Sequence, residues 1–519
     1  MISRIGTLLR TIRFIKPVQI FYQLKNRVIK VKSLKQYKIH SELNPIPLPL
    51  IPDLRNNIAA GTDGLFIFLN LPHEFPGRID WNFADHGKLW NYNLQYLDYI
   101  FQEDIPLNTR LSWIRSIYSC LNSGELKPEP YPASLRAMNL IRLFSTNPSL
   151  ITEYPDLQSD LYAELSYLHE HYEYHLLGNH VLENAFCMLM GGYYFQKTDW
   201  KKRAENVLQN QLNEQILSDG AHFELSPMYH QIMLFRVMEA ISFLNIKDAL
   251  YGFLRCKAEK MLGWLTQMTF VNGDIPHFND SSNGIALSVY QLQKLAQLLN
   301  LGTNEIKLSD SGYRKIINEK MELIADVHGI SPSYQPGHAH ADHLSFVLNI
   351  HGKPFIVDPG TSTYAISERR NWERSSMAHN TVTVNSMNQS EVWSGFRVGR
   401  RAKVNIIEDR ENLIRASVEY PGVSHIRTFI SESSSLIIED EVKASGPAVL
   451  RFYLHPSVVI KQQQDSEIHF KSGEIIRFEN SSQMQISEYD FALGFNKLEK
   501  SKYIEVFFKG TCKSFIFTG

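Results

Sequence analysis

The spacing of apolar residues changes character near residue 325, and that break restricts the chain to a helical half followed by a sheet half. Before it, apolar residues recur at helical intervals, the pattern of segments that bury one face. Candidate helices cover Leu94 to Ile105, Thr109 to Ser123, Ala133 to Phe144, Asp156 to His175 and His180 to Phe195. Lys201 to Leu217, Pro227 to Leu244 and Ala249 to Met268 continue the series, with Gly- and Asn-bearing connectors such as Leu177-Gly178-Asn179 between them. Helical hairpins in succession, with no strand between them, stack as a ring or a solenoid. After Asp326 the alternation becomes period two. Strands are expected at His343 to Ile350, Pro354 to Val357, Asn380 to Val384, Lys403 to Ile407 and Leu413 to Val418. Further strands fall at Ile426 to Ile430, Ser435 to Glu439, Ala448 to Leu454, Ile475 to Phe478, Tyr503 to Phe508 and Ser514 to Phe517. So many short strands imply an antiparallel sandwich. The expected division is an N-terminal helical arm over 1–60, a helical domain over 61–325 and a β-sandwich over 326–519.

A chain of 519 residues is too long for one core, in keeping with that division. A formal net charge of −1 excludes a general nucleic-acid binder, which needs a strongly basic surface. Four cysteines without a C-x-x-C pair argue against a disulfide framework and a zinc–thiolate site. Met1 to Lys32 is basic throughout, with no uninterrupted apolar core and no small-x-small cleavage site, so it does not read as a secretory signal. It reads either as a helix packed on the domain behind it, which is preferred, or as a basic amphipathic helix lying on an anionic membrane or a partner. No stretch approaches the ~20 apolar residues of a transmembrane span.

Three stretches carry chemistry. The densest is Gly337-His338-Ala339-His340-Ala341-Asp342-His343, followed by Asp358-Pro359-Gly360 and by Ala378-His379-Asn380-Thr381. On extended backbone the imidazoles of His-x-His face one way, and Asp358 returns beside His340 after the turn at Gly352. Two imidazoles and a carboxylate make a Zn²⁺-type donor set. The second stretch, Asn179-His180-Val181-Leu182-Glu183-Asn184, opens a helix, where backbone N–H groups can face an anion. In the third, Asp219 to His230, Ser226-Pro227 starts a helix and puts Tyr229 in its first turn, where the helix dipole favours a phenolate. Taken singly, each stretch also has an ordinary structural explanation.

In this order the three stretches resemble the heparinase II/III-type polysaccharide lyases, with alginate lyases of the same architecture as relatives. Ile79-Asp80-Trp81 through Leu94 and Pro130 through Asn139 resemble the entry to that family's helical domain. The resemblance spans roughly residues 60 to 519. It implies a multidomain α + β fold, an N-terminal (α/α) toroid of helical hairpins followed by a C-terminal antiparallel β-sandwich, with the cleft between them. It also implies cleavage of a uronic-acid-containing glycan by β-elimination to a 4,5-unsaturated uronate end. Within it Asn179 and His180 neutralise the uronate carboxylate. Tyr229 is the acid, and also the base where proton and leaving group share a face; His338 is the base for the opposite face. Glu183 is a weaker catalytic candidate. Arg136, Asn139, Tyr364 and Arg374 are candidate substrate contacts. His340, Asp358 and His379 correspond to ligands of a divalent, structural metal, with zinc the expected ion. The partner implied is an anionic uronate polysaccharide, weakly sulfated or unsulfated because no dense Lys/Arg patch is visible. A homodimer is compatible with it. The family's usual periplasmic setting stands against the missing signal, so cytoplasmic and membrane-peripheral settings stay open. Two alternatives also stay open: a metal-dependent hydrolase working through the His-x-His site, and a non-catalytic accessory protein for cell-surface polysaccharide.

Overall fold

The computed structural model describes every residue except 1, 29, 40, 41, 56–58, 62, 63 and 519, and the side chains of 2–4 are likewise outside it. Part of the expected N-terminal arm therefore lies outside the described residues. Two short helices open the chain, α1 (Ile2–Ile12) and α2 (Pro17–Val28). A small hairpin, β1 (Leu65–Phe68) with β2 (Leu71–Glu74), precedes the main helical series. That series is α3 (Lys88–Tyr96), α4 (Leu107–Ser123), α5 (Pro130–Thr146), α6 (Ser149–Glu153), α7 (Pro155–Glu170) and α8 (Gly178–Tyr194). It continues with α9 (Thr198–Gln215), α10 (Pro227–Phe243), α11 (Ala249–Met268) and α12 (Val289–Leu298). The helices pair as neighbours, α8 against α5 and α9, and α10 against α11. Their inward faces make one core running from Trp90 and Ile117 through Leu165 and Leu189 to Met238 and Leu262. No helix among the described residues is long and apolar enough to cross a membrane.

The sheet half begins earlier than the expected break. β3 (Tyr313–Ile317), β4 (Met321–Asp326), β5 (Phe346–Ile350) and β6 (Lys353–Ile356) form a four-stranded antiparallel sheet in that order. Tyr-Arg-Lys-Ile-Ile in β3 alternates too loosely to be read as a strand from the sequence alone. Short strands β7 (Val382–Val384), β8 (Val392–Trp393) and β9 (Arg397–Val398) follow the helix α13 (Glu368–Glu373). A ten-stranded antiparallel sheet then collects β7, β10 (Lys403–Arg410), β11 (Leu413–Tyr420), β12 (Val423–Ser431), β13 (Ser435–Ala444) and β14 (Ala448–Tyr453). It is completed by β15 (Ile460–Gln463), β16 (Glu467–Phe470), β17 (Ile475–Gly494) and β18 (Lys497–Phe517). The two expected strands at Tyr503 to Phe508 and Ser514 to Phe517 are one long strand that pairs with β13, β14 and β17 in turn. The two sheets face each other over Leu323, Phe346 and Leu348 on one side and Phe429, Ile438 and Ile504 on the other.

A separate apolar cluster joins the halves. Trp264, Met268 and Phe278 from the helical side pack on Tyr313, Ile324 and Val347 from the sheet side. The Phe278 and Tyr313 rings stack at 5.1 Å, and the Tyr313 hydroxyl donates to the Leu225 carbonyl at 2.5 Å. The loop that follows Phe278 is thereby held against both halves.

Candidate active site

A cleft of about 1330 Å³ runs between the helical half and the sandwich. Its lining includes Asn179, His180 and Glu183 from α8, Tyr229 and Arg236 from α10, and His338 and Tyr364 from the sheet half. Local sequence explains how α8 and α10 present their ends. Leu177 and Gly178 both take positive φ, so the chain turns sharply before Asn179. A Cβ at Gly178 would stand 2.6 Å from Glu224 Oε1, so glycine is required there. The Asn179 N–H then donates to that same oxygen at 3.0 Å. On α10, Ser226 caps the helix by accepting from the Tyr229 N–H at 3.2 Å, and its own hydroxyl donates to the Asp280 carbonyl at 2.7 Å.

The two groups able to move protons meet face to face. The Tyr229 and His338 rings lie 4.0 Å apart between centroids, and the Tyr229 and Tyr364 hydroxyls are 3.2 Å apart. His338 Nδ1 bonds Asp280 Oδ2 at 2.8 Å, while its Nε2 lies 3.8 Å from Glu224 Oε2. Burial raises the Tyr229 phenol well above its ordinary range, with Asp280 and Glu224 adding to the effect. Burial thus works against the phenolate expected at the helix start and keeps the Tyr229 hydroxyl protonated at neutral pH. His180 behaves the other way. Burial opposes its charged form, but Glu173, 3.3 Å away, with Glu224 and Glu183 behind it, raises the imidazole above its ordinary value. An imidazole whose charged form is favoured in this way, beside an Asn179 amide able to donate through its Nδ2–H, suits a carboxylate ligand.

A second constellation sits behind the first. His340 Nδ1, Asp342 Oδ2 and His379 Nε2 are buried, have no hydrogen-bond partner among the described residues and lie within 4.8 Å of one another. Each imidazole is held from its other nitrogen by a carboxylate: His340 Nε2 by Asp280 Oδ1 at 2.9 Å, His379 Nδ1 by Asp358 Oδ2 at 2.8 Å. That is the outer arrangement that orients imidazole ligands toward an ion. Burial, helped by Asp358, pushes the Asp342 carboxyl up to about 6, and Asp326 beside it is raised as well. Two nitrogens and an oxygen left without partners among buried carboxylates fit a divalent cation.

Two family models match consecutive segments of the chain: Heparinase II/III N-terminus over residues 136–301 and Heparinase II/III-like, C-terminal over 301–516. The chain belongs to the heparinase II/III family. Among curated relatives, a heparin-sulfate lyase of Bacteroides stercoris is 24% identical over 350 residues, which is 60% of this chain and 50% of the relative. A heparin-sulfate lyase of Pedobacter heparinus is 25% identical over 352 residues, 60% of this chain and 51% of the relative. The chain thus spans about half the length of the curated relatives it matches. The crystal structure of heparinase III superposes with a TM-score of 0.69 at 15% identity, covering 96% of this chain and 91% of that one. The heparan sulfate lyase structure from P. heparinus gives 0.56 at 18% identity, covering 96% and 88%. At these identities the likeness is one of fold, helical toroid plus β-sandwich.

In this heparinase II/III-family chain the cleft gathers Asn179, His180, Glu183, Tyr229, His338 and Tyr364, but not all the expected residues. Arg136 is buried in an ion pair with Glu164 and donates to the Gln95 carbonyl at 3.0 Å. Asn139 donates to the Tyr96 carbonyl and to Asp98. Arg374 is buried, its guanidinium donating to the Ala339 carbonyl at 2.8 Å and pushed down to about 9 by burial. These three are scaffold contacts, which corrects the expectation that they touch substrate. Asp358 stands on the outer nitrogen of His379, and the carboxylate beside the free imidazole nitrogens belongs to Asp342. The His-x-His segment lies on a loop ahead of β5, since the strand starts at Phe346 and not at His343.

Asp280 escaped the sequence reading. Its carboxylate takes His338, His340 and both terminal nitrogens of Arg370, one of them at 2.6 Å. It sits in Phe278-Asn279-Asp280-Ser281-Ser282, an ordinary polar loop in sequence whose neighbours arrive from 58 to 90 positions away. Glu224 lies within Asp219 to His230, and only the fold brings it to the start of α8.

Proposed function

We propose that the protein cleaves a uronic-acid-containing polysaccharide by β-elimination, leaving a 4,5-unsaturated uronate. The observation that carries this reading is the pairing of Tyr229 with His338 in a cleft that also holds Asn179 and His180. The Asn179 amide N–H and His180, whose charged form Glu173 favours, hold the uronate carboxylate and stabilise the negative charge that develops on it, the largest single contribution in such reactions. His338, fixed by Asp280 through Nδ1, takes the C5 proton on Nε2. The C5–H electrons form the C4=C5 double bond, the C4–O bond breaks, and the Tyr229 hydroxyl gives its proton to the departing oxygen. Glu183 contributes through Arg236, which it bonds at 2.8 Å, by fixing a cationic wall of the cleft.

His340, Asp342 and His379 would hold the divalent cation, with Asp358 orienting His379. The ion would offset the charge of the buried carboxylates and pin the loop that presents His338. These ligand atoms are buried behind the cleft, which supports a structural ion over a hydrolytic one needing an exposed water. Arg27, Arg397 and Arg401 line the cleft without a carboxylate partner among the described residues, whereas Arg55 and Arg236 are paired. So few free cations favour a sparsely charged uronate polymer over a densely sulfated one. The test is digestion of a panel of uronate polysaccharides while following ultraviolet absorbance. New absorbance from the conjugated double bond is expected. Chain cleavage without that absorbance would mean hydrolysis, and no cleavage of any polymer would leave only a binding role.

A further inference from the structure

The two N-terminal helices are built inside out. On α1 the polar edge faces the protein. The Thr7 hydroxyl and the Arg10 guanidinium bond Glu391 at 2.6 and 2.7 Å, and Thr11 accepts from Trp393 Nε1 at 3.2 Å. Its apolar edge, Ile5, Leu8, Leu9 and Ile12 at i, i+3, i+4 and i+7, is exposed, Leu9 to 64%. The inversion repeats on α2. Gln19 is buried and donates to the Leu176 carbonyl at 3.2 Å, and Asn26 meets His175 at 3.2 Å. Ile20, Phe21, Leu24 and Val28 point outward, with Phe21 62%, Leu24 58% and Val28 84% exposed. A helix that merely packs on its domain buries the opposite face. Apolar surface gathered this way marks an interaction site.

Charge selects the partner. Every ionised side chain before Glu42 is a lysine or an arginine. Arg10 and Lys16 are committed to Glu391 and Glu214, while Arg13 and Arg27, and Lys30 and Lys32 just beyond the end of α2, are exposed. Two copies of this surface brought together would oppose like charges. An anionic lipid surface satisfies both features: headgroups pair with the bases while the apolar side chains enter the acyl boundary.

We infer that α1 and α2 form a docking face for an anionic lipid bilayer. Polar contacts fix both helices to the two halves of the molecule, so the face is preformed. Leu8 and Ile12 also belong to the cleft lining, so a docked molecule holds its cleft mouth beside the lipid surface. The test uses the full chain and phosphatidylcholine vesicles with and without phosphatidylglycerol, read by co-sedimentation. Wild type is expected to sediment with the phosphatidylglycerol vesicles and to stay free with phosphatidylcholine alone. Phe21→Glu with Leu24→Glu, and separately Lys30→Glu with Lys32→Glu, should each lower the partition by roughly tenfold or more. All four positions are exposed, so thermal stability should be unchanged. The inference is overturned if wild type binds neither vesicle, or if Phe21→Glu with Leu24→Glu binds as wild type does. It is equally overturned if light scattering finds a dimer that this double variant dissociates, because the face would then pair copies of the chain.

Discussion

Tyr229 is held from two sides, its N–H by the Ser226 cap and its ring by the His338 imidazole, so its hydroxyl is aimed without help from a substrate. Because burial keeps that phenol protonated, its task in the proposed reaction is donation. Tyr229→Phe keeps the ring contact and removes the proton. The turnover number is expected to fall roughly 10²–10⁴-fold, while the melting temperature stays near that of wild type, since among the described residues the hydroxyl bonds only Tyr364. Steady-state kinetics beside a thermal melt checks both halves of this expectation. Asp280 gives the opposite profile. Its carboxylate is the counter-ion of buried Arg370, and Asp280→Ala removes that guanidinium's ion-pair partner among the described residues. Breaking a buried pair in this way costs about 3–5 kcal/mol, measurable by denaturant titration. Stability and activity should drop together in that variant, whereas Tyr229→Phe separates them.

Elements decide how these residues are presented, and much of that was legible. Ser226-Pro227 marked the start of α10, and Leu177-Gly178-Asn179 marked the turn into α8, because caps and tight turns are written in neighbouring residues. Asp280, the approach of Glu224 to α8 and the switch from Asp358 to Asp342 were not, because each depends on loops meeting across long separations. The polar half of β17 was also missed: residues 479 to 488 are mostly exposed or half-buried, so no apolar alternation betrays a strand. Two predictions belong at this scale. His340 and Asp342 lie on the loop before β5 and His379 lies before β7, so a bound divalent cation ties two segments of the sandwich together. The purified protein is expected to carry about one divalent cation per chain by elemental analysis, and His379→Ala to lose it. Saturation at 100 times the dissociation constant is worth about 2.7 kcal/mol, so chelation should lower the melting temperature of wild type and not of His379→Ala. The second concerns α1. Its Arg10 bond pulls the Glu391 carboxylate down to about 2, with Thr7 and the Arg400 N–H adding to it. A carboxylate lowered on docking stabilises the docked state above its ordinary pKa of about 4.5 and loses that contribution as pH falls toward 2. Glu391→Gln should therefore speed amide hydrogen exchange in α1 at neutral pH. Wild type should show the same loss of protection, measured against the intrinsic exchange rate at each pH, only in acid.

At the scale of the whole molecule the cleft is a product of the junction and belongs to neither half alone. Tyr229 and the Asn179–His180 pair come from the toroid, and His338 from the sandwich. The loop carrying Asp280 passes between them. Its anchor is Phe278, buried and stacked on Tyr313, followed by Asn279, which donates to the Leu225 carbonyl and accepts from the His340 N–H at 2.9 Å. Removing the Phe278 ring opens a cavity in the cluster that joins the halves, at a cost of about 3–5 kcal/mol. It also frees the next two residues, through which the site histidines are aimed. Ile438→Val, deep between the sheets and remote from that loop, costs about 0.5–1.5 kcal/mol and leaves the junction intact. Under conditions where both variants are folded, Phe278→Ala is therefore expected to lose most of its turnover, with Ile438→Val close to wild type. If the two kept equal activity, the geometry of the cleft would not depend on how the halves are joined, and the dependence of His338 on Asp280 would have to be carried by Arg370 alone.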